Sequence, residues 1–152
     1  LQEEKPTIHL LYDRSIEEER FKQILFGIEE EDVPCSIEKT EESSALELGY
    51  KAANHSKLSI GIGIGADQMA ILHYAKLNKN EPLFQVDMRD RKVSLRAFGA
   101  NAARLVKGLP FKDLTDEELV VSEQAESYSK QEEAILKEKI ASIVRKILSE
   151  GD

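Results

Sequence analysis

The chain has 152 residues, of which 29 are acidic and 21 basic, giving a net charge of −8. This length suits one domain with its own core, and the negative balance argues against a nucleic-acid-binding surface, which needs Lys and Arg to neutralise phosphates. The lone cysteine, Cys35, excludes an internal disulfide, and no apolar run reaches the roughly 20 residues of a membrane span, so we expect a cytoplasmic protein that binds neither nucleic acid nor membrane.

The first half of the chain predicts two strand-helix units. TIHLLY, at residues 7–12, is short and apolar and predicts the first strand. Ser15, with Glu18 three residues later, has the pattern of a capping box, and apolar residues at helical spacing continue the helix to residue 28. PCSIEK predicts the second strand, and Ser44 marks the start of a second helix.

An acidic run, Glu29-Glu30-Glu31-Asp32, stands at the carboxyl end of the first predicted helix. Negative side chains at that end oppose the helix dipole. A solvated helix end is one interpretation of the run. The mismatch with the dipole also invites a cation, either an arginine or a metal, and the residues themselves leave these alternatives open.

The stretch LSIGIGIGADQMAILHY, at residues 58–74, alternates glycine with isoleucine before a short turn. Glycine loops that bind phosphate lead from a strand into a helix, with spacings such as GxGxxG that do not occur here. We therefore predict a strand whose glycine face lets a helix approach closely. About four residues separate this strand from MAILHY, too few for a parallel crossover, so the two form a hairpin in a mixed sheet.

The remaining elements complete an α/β sandwich. LFQV predicts a fifth strand, and a third helix runs from about residue 94 to 107 with Gly108 as its stop. No Ser/His/Asp or Cys/His pattern at catalytic spacing can be defended. His9 and His73 lie in predicted strands, where a satisfied structural histidine is the simpler interpretation.

Several ordered motifs indicate a family: GIEEEDVPCSIE at 27–38, the glycine strand, EPLF at 81–84 and NAARLVKGLPFKDL at 101–114. Over residues 7–114 the chain resembles the small subunit of the reactivating factor for coenzyme-B12-dependent diol and glycerol dehydratases. The medium subunit of the dehydratase itself is related but longer, and the VKGLPFKDL segment is similar to the reactivating-factor version.

This resemblance implies a three-layer α/β/α domain with a five-stranded mixed sheet, order 2-1-3-4-5, and strand four antiparallel. It implies a non-catalytic subunit without a cofactor of its own, the partner of a large ATPase subunit. By subunit exchange that factor acts on the dehydratase and releases damaged cobalamin. The alternative is the medium subunit of the dehydratase, or a fragment of it. A third hypothesis is a nucleotide or flavin binder built on the glycine strand.

The resemblance also implies site residues. In the family a glutamate of the GIEEE stretch reaches a divalent metal, Mg²⁺ or Ca²⁺, at the interface with the large subunit, and the matching residue is Glu30. We expect a partner-binding surface composed of Glu29, Glu30, Glu31, Asn101, Arg104 and Lys107. For Arg104 and Lys107 the alternative is that they only complement the dipole at the end of their helix.

An acidic extension follows the part of the chain that carries the resemblance. Residues 113–152 hold 11 acidic and 5 basic side chains, so we divide the chain into a domain at 1–114 and an extension at 115–152. Leu136, Ile140, Ile143 and Ile147 predict an amphipathic helix over 129–149. It would dock on the domain at 1–114 (the body) or self-associate. The resemblance implies a third alternative, binding to a protein shell, since diol-degrading systems often reside in bacterial microcompartments.

Overall fold

The computed structural model describes residues 6–41 and 44–115, so the predicted helix at 129–149 lies outside the described residues. Within these ranges a 3₁₀ turn, Glu18–Arg20, precedes the first of three α-helices: α1 (Lys22–Glu30), α2 (Ala45–His55) and α3 (Leu95–Lys107). The strands are β1 (Ile8–Asp13), β2 (Cys35–Thr40), β3 (Ile60–Ile64), β4 (Met69–Tyr74) and β5 (Phe84–Asp87). None of the described helices is long and apolar enough to cross a membrane.

The five strands form one mixed sheet in the order β2-β1-β3-β4-β5. β1 pairs in parallel with both β2 and β3, whereas β4 is antiparallel to β3 and to β5. The hairpin between β3 and β4, predicted from the length of its connection, is confirmed. The strand order that the resemblance implied is confirmed as well.

Helices cover both faces of this sheet, which makes the predicted three-layer sandwich. Alternate residues of β1, β3 and β4 point towards α1 and α3, where Leu10, Ile62 and Leu72 are fully buried beside Phe21 and Phe98. On the opposite face, Leu11 packs with Leu48 and Ala52 of α2.

The start of the first helix differs from the prediction. Ser15 does not cap it, because its hydroxyl and its backbone N–H both donate to Asp13 Oδ1, at 2.6 and 2.9 Å. These hydrogen bonds hold the pKa of Asp13 below its usual value. The chain then makes the 3₁₀ turn, and α1 begins at Lys22. The cap predicted for the second helix is confirmed, since Ser44 accepts from the N–H of Glu47.

The glycines of β3 let α2 lie directly on the sheet. A Cβ atom added at Gly61 would come closer than 3.0 Å to the backbone of Ala52 and Ala53, and one at Gly63 would do the same at Ala45 and Gly49. The predicted close approach of a helix is therefore confirmed. Because β3 leads into a strand, this segment does not form the strand-to-helix loop that binds phosphates.

Gly61→Val should destabilise the fold by roughly 1–3 kcal/mol or more, because the new side chain meets helix backbone that has little room to move. Ile62→Val, one residue along on the opposite face, is the matched control and should cost only about 0.5–1.5 kcal/mol. Urea unfolding of both variants measures the difference. A Gly61→Val protein that melts within about 1 °C of wild type would contradict the packing argument.

Candidate functional site

The site is organised by the contact of α1 with α3, whose backbones nearly touch. A Cβ atom at Gly27 would come closer than 3.0 Å to the carbonyl of Arg96 and the N–H of Ala100. A Cβ atom at Gly99 would come equally close to the carbonyl of Ile24. Two glycines, one on each helix, therefore set the crossing and bring the acidic end of α1 onto α3.

The acidic run ends α1 through a tight turn. Glu30 is the last residue of the helix, Glu31 is its C-cap, and Asp32 adopts the left-handed conformation with φ 59°. Asp tolerates this conformation better than most residues, and such a residue commonly follows a helix. As a result Glu29 and Glu30 stay exposed, whereas Glu31 turns towards α3.

Glu31 forms ion pairs with two cations of α3. Its Oε2 is 3.4 Å from Arg104 Nε and its Oε1 is 3.9 Å from Lys107 Nζ. Arg104 also donates to the carbonyl of Pro110 at 2.8 Å. Only 14% of the Glu31 side chain is exposed. Both cations lie in the last turn of α3, where positive charge suits the helix dipole. The charges of this cluster are therefore compensated within the chain.

Glu30 has a different partner, Arg96, whose Nε contacts Glu30 Oε1. This pair is open to solvent, with 43% of the Glu30 side chain and 56% of the Arg96 side chain exposed. Sequence reasoning anticipated an arginine as one alternative for the acidic run but did not identify Arg96. A signal was present, because an arginine in the first turn of a helix opposes the dipole of that helix.

Asn101, predicted as a partner contact, is fully buried. Its side chain clamps the backbone of Lys112: Nδ2 donates to the carbonyl at 2.9 Å, and Oδ1 accepts from the N–H at 2.6 Å. Phe111 packs edge-on against Phe84, with ring centroids 5.2 Å apart. Asn101 therefore fixes the segment that follows α3, and any effect on a partner would pass through that segment.

These residues fit a divalent metal only as part of a shared site. Within 6–41 and 44–115, no group of three or more His, Cys, Asp or Glu side chains is placed to hold a metal ion. Mg²⁺ and Ca²⁺ take about six or more oxygen ligands. Glu30 would supply one carboxylate, and the other ligands would come from a partner and from water.

The histidine in β4 has a structural role. His73 is fully buried, its Nε2 lies 2.9 Å from the carbonyl of Lys79, and its Nδ1 accepts from the N–H of Tyr74 at 2.9 Å. A surface depression of about 410 Å³ lies nearby, on the outer side of α2. Its lining residues are Glu47, Tyr50, Lys51, Asn54, His55 and Lys79. None of them belongs to β3, so the glycine strand does not form this depression.

Glu31→Gln should lower the free energy of unfolding by about 1–2 kcal/mol, since it leaves two cations without their shared carboxylate in a partly buried place. Glu29→Gln, two residues earlier at an exposed position, is the control and should change it by less than about 0.5 kcal/mol. Denaturant titration compares the two. Equal stabilities would mean that the cluster around Glu31 contributes nothing to folding.

Comparison with known proteins identifies relatives of this body. The dehydratase medium subunit family model matches residues 5–112. The propanediol dehydratase-reactivating factor small subunit of Citrobacter freundii is 37% identical over 90 residues, which are 59% of this chain and 77% of that protein. A probable glycerol dehydratase-reactivating factor small subunit of the same organism is 35% identical over 111 residues, 72% of this chain and 95% of that protein.

The fold has a counterpart among solved structures. A chain of the diol dehydratase-reactivating factor, solved in complex with ADP and Mg²⁺, superposes with a TM-score of 0.68 at 32% identity, covering 72% of this chain and 100% of that one. The superposition thus extends along the whole of that chain. The chain belongs to the dehydratase medium subunit family, in the group that contains the small subunits of diol and glycerol dehydratase-reactivating factors.

Proposed function

We propose that this chain is the small subunit of a chaperone-like reactivating factor for a B12-dependent diol or glycerol dehydratase. It is a non-catalytic partner of a large ATPase subunit. By exchanging with dehydratase subunits, this chain lets the large subunit engage the dehydratase and release damaged cobalamin. The observation that carries the proposal is the superposition that covers 100% of a reactivating-factor chain at 32% identity. The location that follows is the cytoplasm or a bacterial microcompartment.

The exposed end of α1 is the surface we assign to the large subunit. Glu29 and Glu30 are exposed there, and Arg96 adds a guanidinium beside them. Lys107 contributes at the margin, with 37% of its side chain exposed, whereas Arg104 is mainly engaged within the chain. A Mg²⁺ or Ca²⁺ ion between the subunits would join Glu30 to oxygens of the partner, and its charge would stabilise the contact.

The medium subunit of the dehydratase is the alternative within the same family. The matches to reactivating-factor small subunits, one of them along 95% of its length, favour the first proposal. A pull-down tests the choice directly, with the large reactivating-factor subunit in one arm and the large and small dehydratase subunits in the other. Capture of the ATPase subunit supports the reactivating factor, and exclusive capture of the dehydratase subunits supports the alternative.

Glu30→Gln should weaken binding to the large subunit while the melting temperature stays near that of wild type. The reason is that an exposed carboxylate adds little to stability but a metal-bridging one loses a charged ligand. Binding is measured by calorimetry in Mg²⁺ and in EDTA. Glu19→Gln, which breaks the exposed pair of Glu19 with Lys22, is the control. Unchanged affinity in both buffers would remove Glu30 from the interface.

Deletion of residues 116–152 should leave a folded body that still binds the large subunit. The deletion begins after Thr115 because that residue bridges Val93, and the carbonyl of Leu114 accepts from the N–H of Ser94 at 2.7 Å. Circular dichroism and the pull-down measure folding and binding. Sedimentation of the full chain beside the truncated one tests self-association through the extension. An insoluble truncated chain would make the extension part of the core.

A further inference from the structure

We propose that Glu30 and Arg96 form an exchangeable ion pair. In the free subunit they neutralise each other. On assembly Glu30 turns to a cation brought by the large subunit, and Arg96 turns to an acidic group of the same partner. This inference rests on the proposed function for the identity of the partner, and it adds Arg96 and a swap of ion pairs to it.

The contrast between neighbouring glutamates is the first support. Glu31 is 14% exposed, contacts two cations, and one of these is itself anchored to a backbone carbonyl. Glu30 is 43% exposed, and its ion pair within the described chain is with Arg96 alone. Exposed ion pairs contribute little to stability, so a partner can take over the Glu30 pair far more easily than the Glu31 cluster.

The second support is that the body does not depend on this pair. Arg96 contributes its backbone carbonyl to the close contact with Gly27, so packing fixes the main chain at residue 96. Its side chain projects into solvent and can rotate without moving α3. Breaking the Glu30–Arg96 contact therefore leaves the crossing of α1 and α3 in place.

Charge placement gives the third support. Glu30 closes α1 and Arg96 lies in the first turn of α3, so each side chain opposes the dipole of its own helix. A charge that its own helix does not favour depends on an opposite charge nearby. The free subunit supplies that charge internally. The complementary partner surface must then present a cation opposite Glu30 and a carboxylate within reach of Arg96, and the cation is either a basic side chain or a divalent ion.

A double-mutant cycle on the full chain tests the exchange. Glu30→Gln, Arg96→Gln and the double variant are titrated with the large subunit in Mg²⁺ and in EDTA. We expect each single variant to weaken binding on the order of tenfold. In the double variant the loss of affinity should exceed the product of the two single losses. Each single variant loses one contact with the partner but no longer has to break the internal pair, which reduces its loss. The double variant loses both contacts and gains that relief only once. Glu19→Gln and Lys22→Gln, which break another exposed pair, should bind like wild type.

The buffers identify the cation. If the effect of Glu30→Gln vanishes in EDTA, the exchanged cation is a metal, and if it persists the cation is a basic side chain; both results support the exchange. A double variant that loses no more than either single variant would show that the pair stays closed in the complex and would overturn the inference. Unaffected binding of all three variants would also overturn it while leaving the proposed function intact. A wild-type chain that does not bind the large subunit would overturn both.

Discussion

The near-contact of α1 and α3 at Gly27 and Gly99 is the constraint on which the site depends. At each glycine an added Cβ would come closer than 3.0 Å to backbone atoms of the other helix. Larger residues would force the helices apart, and contacts between their side chains would lengthen accordingly. The ion pairs of Glu30 and Glu31 with α3 thus follow from two missing side chains. The electrostatics of the site is a consequence of backbone packing.

In this structure the residues of the NAARLVKGLPFKDL motif mainly make contacts within the chain. Asn101 holds the backbone of Lys112, and Arg104 joins Glu31 to the carbonyl of Pro110. Gly108 ends α3 in the left-handed conformation, with φ 68°. These contacts fold the chain after α3 back along the helix. A motif that marks a family can therefore do so because it builds the scaffold that presents other residues, here the exposed end of α1.

Much of the fold could be predicted from local chemistry, and the site only in part. The short connection after β3 was sufficient to predict the hairpin, and the alternating glycines predicted the close approach of α2, because both depend on neighbouring residues. The predicted start of α1 was wrong, since Ser15 binds Asp13 rather than the helix end. Arg96 was missed for a different reason. Its partner lies 66 residues away, and only the crossing of two helices brings them together.

The exposure of the Glu30–Arg96 pair suits the proposed exchange, in which the subunit leaves its partner as well as binds it. Removing one member of a desolvated ion pair leaves the other charge uncompensated, which makes dissociation unfavourable. In the proposed exchange Glu30 and Arg96 would avoid that cost, because each would recover an internal partner when the large subunit departs. Helices already cover most apolar side chains of the sheet, and three large hydrophobic side chains of the described body remain exposed: Phe26, Ile37 and Leu109. If the subunit works by exchange as proposed, a polar contact satisfied in both states would keep assembly and release in balance.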